Sequence, residues 1–359
     1  MKISLLVPLL VLPLVGGALA GGSQAGGIQV TTETRLAGWL QKYPEADANG
    51  DGMLTVGEAR AFRAKMLAEP GVDQADRSAR TKPTHANVVY GSHERNRFDV
   101  WIPDESTDGL LSPVVIYFHG GGFVAGDKTS FDPTPYLDAG IACVSANYRF
   151  VNGHDLLSDA PFRDAARVVQ TVRKRCSEWN LDPGRVALSG GSAGAVMALW
   201  TGLHDDLANP DSDDPVSQES TRVTCVVPVN GPTNLLPDWI LENIGGAAHV
   251  HASFAMMFGQ TIEEALTPAV RARIMAVSPW EHVSEDDPPV FLIYSGPLDE
   301  VPLPASARTG KVIHHPFFGK ALKEKLDAAG VEADFKHGFN PRGRTDIVDY
   351  LKNKFAMVD

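Results

Sequence analysis

Thirteen residues, Arg185 to Met197, read RVALSGGSAGAVM and constrain the fold more than any other stretch of the chain. An apolar run, a glycine-rich corner and a further run of small and apolar residues describe a buried strand turning sharply into a helix. Gly190, Gly191, Ser192, Ala193 and Gly194 match the G-x-S-x-G nucleophile elbow, in which the serine is held in a strained backbone conformation. Glycines flank the corner because a side chain there would strike the neighbouring strand or helix. Such a turn exposes the serine Oγ, and the helix behind it aims free N–H groups at the place where an oxyanion would form. A glycine-rich strand-to-helix turn without chemistry reads the same way, so the pattern gains meaning only from its company.

That company lies upstream. Pro113 to Phe118 (PVVIYF) has the composition of a buried strand, and His119-Gly120-Gly121-Gly122-Phe123 follows it directly, matching the H-G-G-G loop that offers backbone N–H donors to an oxyanion. With both motifs in order, each after a strand, the chain from about Asn87 onward resembles an α/β-hydrolase of the hormone-sensitive-lipase-like esterase group; Tyr148-Arg149 and Asp164-Ala165-Ala166 belong to the same resemblance. It implies a mostly parallel, doubly wound sheet with a small helical cap insertion, an oxyanion hole made by the N–H groups of Gly121, Gly122 and Ala193, and a bracing role for His119.

The strand and helix patterns agree with that architecture. Strand-like runs fall at Asn87–Tyr90, Arg97–Ile102, Ile141–Asn147, Arg222–Val229 and Pro289–Tyr294, and helical ones at Tyr136–Ala139, Ala160–Trp179 and Phe317–Ala328. Alternation of this kind predicts a parallel sheet covered on both faces. Residues 233–285 break the alternation and are expected to form the cap, with Trp239, Ile240, Phe254, Met256, Met257 and Phe258 available for an apolar pocket or for ordinary core packing.

In the related fold the triad acid follows the Pro289–Tyr294 strand, which points to Asp299, with Glu300 as the alternative. The histidine implied by resemblance is His337, in the H-G-F sequence after the candidate strand Val331–Lys336, although relatives place more residues between that strand and the histidine. His314 and His315, just before Pro316, are expected to cap or pack a helix start; His249 and His251 fall in the cap, and His154 could approach the pocket rim.

Nearer the N-terminus, Asp47-Ala48-Asn49-Gly50-Asp51-Gly52-Met53-Leu54-Thr55-Val56-Gly57-Glu58 fits the twelve-residue EF-hand calcium loop. Asp47, Asn49 and Asp51 supply side-chain oxygens, Met53 its carbonyl, Thr55 a direct or water-mediated contact, and Glu58 a bidentate carboxylate. Gly52 allows the sharp turn. These are ligands for calcium, and an acidic helix–turn–helix without metal is the competing reading. No second loop is present to pair with Leu54.

The expected organisation is therefore a signal peptide at 1–20 ending in an A-x-A pattern with cleavage after Ala20, a flexible leader at 21–31, a small α-helical EF-hand at 32–68, a linker at 69–86 and the hydrolase domain at 87–359. This predicts a secreted or periplasmic protein with no membrane span in the mature chain. A net charge of −12 argues against nucleic acid as a partner, and the acidic stretch Asp205–Glu219 reads as a solvated loop. Three cysteines, Cys143, Cys176 and Cys225, are expected to be buried and unpaired. The functional expectation is hydrolysis of small esters through an acyl-enzyme on Ser192, with no organic cofactor; the alternative is a degenerate hydrolase serving as a calcium-stabilised binding or scaffold protein. Oligomeric state is not legible.

Overall fold

A computed structural model of the chain describes residues 36–37, 40–41, 43–55, 58, 62, 82–103, 111–151, 159–246, 251, 253–259, 261, 266–338 and 345–357. The signal peptide, the leader, His154, His249 and the part of the linker up to residue 81 lie outside these. The chain divides into two compact units, residues 1–72 with 105–110, and residues 73–104 with 111–359.

In the smaller unit, Leu54 of the acidic loop and Ala46 are buried together, with Leu36, Leu40, Tyr43 and Phe62 packed against them. The Tyr43 and Phe62 rings lie 5.7 Å apart.

The larger unit is built on one eight-stranded sheet. Its strands are β1 (His85–Val89), β2 (Arg97–Trp101), β3 (Ser112–Phe118), β4 (Ala142–Ala146), β5 (Leu181–Gly191), β6 (Cys225–Val229), β7 (Val290–Tyr294) and β8 (Ala333–His337), in the spatial order 1-2-4-3-5-6-7-8. β1 and β2 run antiparallel at one edge, and every pairing from β4 to β8 is parallel. This is the α/β-hydrolase architecture. β1 starts at His85, inside the stretch read as linker.

The inner strands are continuous apolar runs because a parallel sheet is covered on both faces. Alternation of side chains sorts them into two layers. Val114, Ile116 and Phe118 of β3 face a core shared with α2 (Ala160–Lys174) and α4 (Ala193–Leu203). Val115 joins Cys143, Ala187, Val227 and Ile293 against Ile347 and Leu351 of the C-terminal helix α10 (Thr345–Lys354) and Phe355 just after it, and against Tyr136 and Leu137 of α1 (Thr134–Asp138). Every residue of α4 is buried, which its small side chains allow: a Cβ on Gly202 would stand 2.4 Å from Val226 Cγ2.

The helix expected over Ala160–Trp179 is interrupted at Arg175, leaving α3 (Cys176–Trp179) as a separate turn before β5. The three cysteines are buried and unpaired. The acidic stretch is more than a solvated loop: Asp214 pairs with Arg167, and Asp206 accepts from the Ser220 hydroxyl and the Thr221 amide. Between β6 and β7 the chain forms α5 (Pro237–Asn243), α6 (Phe254–Phe258) and α7 (Pro268–Val277), the helical insertion expected there. After β7 come α8 (Thr309–Ile313) and α9 (Phe317–Ala328).

Candidate active site

Ser192 stands between the C-terminus of β5 and the first turn of α4, with φ 53° and ψ −118°. A non-glycine residue there is strained, and the surroundings enforce it: the Ser192 amide donates to the Val229 carbonyl at 2.9 Å, and the serine carbonyl accepts from Ala195 and Val196 at 2.9 and 3.1 Å. The elbow closes only on glycine, since a Cβ on Gly190 would lie 2.4 Å from the Gly194 carbonyl and one on Gly231 2.7 Å from Ala195 Cβ. Phe123, in the glycine loop after β3, and Asn230, directly after β6, also have positive φ, so strain gathers around the serine.

The loop after β3 lies alongside. A Cβ on Gly120 would stand 3.0 Å from the Gly191 carbonyl and 3.4 Å from Ser192 Cβ. Gly121 and Gly122 have φ of 116° and 58°, and a Cβ on Gly121 would fall 2.1 Å from the Ala125 carbonyl oxygen. That carbonyl follows a tight turn in which Gly121 O accepts from Val124 and Ala125. The N–H groups of Gly121, Gly122 and Ala193 have no acceptor among the described residues.

His119 braces this loop from behind. Its ring stacks on Tyr148 at 4.4 Å, and the Tyr148 hydroxyl donates to the His119 carbonyl at 2.8 Å. Arg95 Nη2 can only donate, so His119 Nε2, 3.3 Å away, is an acceptor and Nδ1 carries the proton donated to the Gly120 carbonyl at 2.7 Å. The ring is neutral, as burial also requires, since it pushes the imidazole below its usual value.

The imidazole on the serine is that of His314. Its Nε2 lies 2.8 Å from Ser192 Oγ. His314 terminates α8, whose Val312 and Ile313 are buried. The connection from β7 is tied to the insertion through Leu303, which exchanges backbone hydrogen bonds with Ile244 and Gly246. Val312 presses on Gly246, where a Cβ would meet its Cγ2 at 2.6 Å. Those anchors bring the end of α8 over the elbow. Burial holds the His314 imidazole below the usual histidine value; the Gly310 carbonyl works in the other direction and the nearby His251 ring adds to the depression.

Two expected partners are elsewhere. His337 ends β8, exposed, paired in register with Tyr294 and with its ring 5.3 Å from that of Phe335. With no chain between strand end and imidazole, it has no reach toward the elbow. Asp299 forms an ion pair with Lys311 Nζ at 2.6 Å, and that hydrogen bond holds its carboxyl below the usual range. Its field acts on His315, not on His314. Glu300 is exposed. His315 behaves as expected, capping α9 by accepting from Phe317 N at 3.1 Å. His314 was missed because its place depends on the route of the Val301–Ile313 connection; the chain order Ser, Asp, His and the buried Val312-Ile313 before it were the available signals.

A cavity of about 60 Å³ opens beside the serine. One ordered water needs roughly 10–15 Å³ on the same measure, so there is room for a small group of a few heavy atoms. Gly122, Ser192 and Ala193 form one wall; Phe123, Val196, Leu235, Ile240, Phe254 and Met257 supply apolar ones.

The acidic loop of the smaller unit curls on itself. Asp47 accepts from Gly50 N and Gly52 N at 2.8 Å each, Asn49 Oδ1 from Asp51 N at 2.9 Å, and Asp51 Oδ1 from Met53 N at 2.8 Å. Glu58 accepts from the Thr55 hydroxyl at 2.7 Å, which lowers its carboxyl from the usual value, and from Asn49 N at 3.2 Å. Gly50 and Gly52 have φ of 73° and 78°. Among the described residues no group of three or more His, Cys, Asp or Glu side chains gathers as a metal cluster, and the oxygen donors here are of the hard kind a calcium ion takes.

Comparison with known proteins bears on the larger unit. The BD-FAE family model matches residues 98–309, more than half of the chain, ending five positions before His314. A probable isoprenylcysteine alpha-carbonyl methylesterase of Arabidopsis thaliana is 28% identical over 254 residues, covering 69% of this chain and 48% of its own. A probable carboxylic ester hydrolase of Mycobacterium tuberculosis is 26% identical over 216 residues, covering 58% and 46%. The chain thus spans about half the length of the curated relatives it matches. Among solved structures, a truncated carbohydrate esterase from gut microbiota superimposes with a TM-score of 0.58 at 21% identity, covering 76% of this chain and 96% of that one. An acetyl ester-xyloside bifunctional hydrolase from Caldicellulosiruptor lactoaceticus gives 0.55 at 22%, covering 77% and 94%.

Proposed function

Since the chain belongs to the BD-FAE family, we propose that it is a serine ester hydrolase acting on small esters, with Ser192 as nucleophile and His314 as general base. The observation that carries this is the 2.8 Å separation of Ser192 Oγ and His314 Nε2 at a strained elbow. His314 Nε2 accepts the serine proton as Oγ attacks the ester carbonyl, and returns it to the departing alkoxide. Water then attacks the acyl-enzyme with the same imidazole as base. The amides of Gly121, Gly122 and Ala193, free of other acceptors among the described residues, are the donors for the tetrahedral oxyanion. Asp299 takes no part, and the Gly310 carbonyl is the group that favours the imidazolium.

Apolar walls around a cavity of a few heavy atoms suit a short acyl or alkyl group. The Asp47–Glu58 loop is read as a calcium site, with Asp47, Asn49, Asp51, Thr55, Glu58 and the Met53 carbonyl as its oxygen donors; bound calcium would supply folding stability to the small unit. Export through the segment ending at Ala20 completes the reading, and no helix among the described residues is long and apolar enough to cross a membrane.

Turnover of p-nitrophenyl acetate by the parent, Ser192→Ala, His314→Ala and His337→Ala tests the assignment. The serine and His314 variants should lose several orders of magnitude in kcat while His337→Ala stays near the parent. Loss in His337→Ala with retention in His314→Ala would overturn the base assignment, and an inactive parent would favour a binding protein.

A further inference from the structure

Among the residues lining the cavity, the polar side chains beyond Ser192 are His251 and Ser253. The Ser253 amide donates to His251 Nδ1 at 3.1 Å, and the Ser253 hydroxyl lies 2.8 Å from the same nitrogen. A backbone N–H can only donate, so Nδ1 is an acceptor and the proton of the neutral ring sits on Nε2. Ser253 itself is 3% exposed, so this lock is held from within the insertion. Burial lowers the His251 pKa. The imidazole rests on the oxyanion loop, where a Cβ on Gly122 would stand 2.1 Å from its Cε1 and 2.6 Å from its Nε2. Nε2 has no hydrogen-bond partner among the described residues.

A neutral N–H donor on an otherwise apolar cavity, with its tautomer fixed, is a recognition element. Resting on the esterase reading of Ser192 and His314, we propose that His251 is a specificity-determining residue: Nε2–H donates to an oxygen carried by the part of the ester that fills the cavity. A pure hydrocarbon group leaves that donor unpaired when it displaces water, whereas an ether, hydroxyl or carbonyl oxygen at the same position satisfies it. Nε2 carries a proton in the neutral and in the protonated ring alike, so the donor is in place throughout the pH range in which His314 serves as base. The acceptor oxygen can belong to the acyl or to the alcohol fragment, and isosteric pairs separate the two sources.

The test uses the full chain. Values of kcat/KM are measured for p-nitrophenyl methoxyacetate against p-nitrophenyl butyrate, and for 2-methoxyethyl acetate against butyl acetate, in the parent, His251→Phe and His251→Gln. Comparing ratios between variants cancels the esters' intrinsic reactivity. The oxygenated-to-alkyl ratio in one pair should fall about fivefold in His251→Phe and stay within about twofold of the parent in His251→Gln, which keeps a donor. The pair that responds identifies the fragment in the cavity. Unchanged ratios in both pairs, or equal losses in the Phe and Gln variants, would overturn the proposal. If His251→Phe fails to fold, as judged by its unfolding midpoint, His251→Leu provides the same contrast. Failure of the esterase reading shows separately, as an inactive parent or an active Ser192→Ala variant.

Discussion

Gly194→Ala adds a single methyl group, and the structure says what it would meet. The new Cβ would lie 2.0 Å from the Phe118 carbonyl oxygen, 2.5 Å from its carbon and 2.7 Å from the His119 oxygen. Ordinary contact begins near 3.4 Å, so α4 and the end of β3 would have to separate by 3.4 − 2.0 = 1.4 Å. All three atoms are backbone, and none can rotate out of the way. Gly194 does not have a positive φ, so its backbone accepts alanine, and the clash works against the modest gain from restricting the unfolded chain. Overpacking of this kind costs about 1–3 kcal/mol, occasionally more.

The displaced atoms are also the ones that set the distance between the serine and the H-G-G-G loop. A misplacement of about 1 Å in a catalytic constellation can cost roughly 10²-fold in rate, so kcat toward p-nitrophenyl acetate should fall by about that factor. The unfolding midpoint should fall by several degrees, at about 2–4 °C per kcal/mol for domains of 150–250 residues. Gly296→Ala is the control, because a Cβ there meets only Pro316 at 3.7 Å, and it should change neither quantity appreciably. A Gly194→Ala protein with parental kcat and midpoint would refute the argument that close approach of α4 to β3 aligns the two glycine corners.

Three further outcomes concern the base, Asp299 and the acidic loop. Because His314 must be neutral to accept the serine proton and burial lowers its pKa, the acid limb of kcat/KM should have its midpoint below 6.5; a limb at or above that value would contradict the assigned environment. Asp299→Asn should leave kcat within about threefold of the parent, where loss of a carboxylate oriented on the base costs about 10⁴-fold, so a loss of that size would restore Asp299 to the site. Calorimetric titration should find calcium bound with a dissociation constant of about 10⁻⁴–10⁻³ M, the range of extracellular EF-hand modules, and Glu58→Gln should weaken it at least about tenfold; no uptake by the parent at millimolar calcium would remove the metal reading.

What was legible in the sequence was what local pattern encodes. The elbow and the H-G-G-G loop need glycine at defined positions because backbone approaches backbone there, as the contacts at Gly121, Gly190 and Gly194 show, and such needs are written within a few residues. The sheet was legible for a similar reason: strands buried on both faces must be apolar throughout, and Pro113–Phe118 and Pro289–Tyr294 could be little else. The base was not legible, because its position is set by a connection and not by a motif. His337 follows a strand in the sequence context expected of the family but lacks the chain length to leave the strand end. His314 reaches Ser192 because Leu303 and Val312 fasten the long connection after β7 to the helical insertion. That same connection places Lys311 where it captures Asp299. The position of His314 at the end of α8 and the pairing of Asp299 with Lys311 are thus two results of the route of one segment. The consequence is a histidine placed by buried apolar anchors, for which no local motif exists to be read.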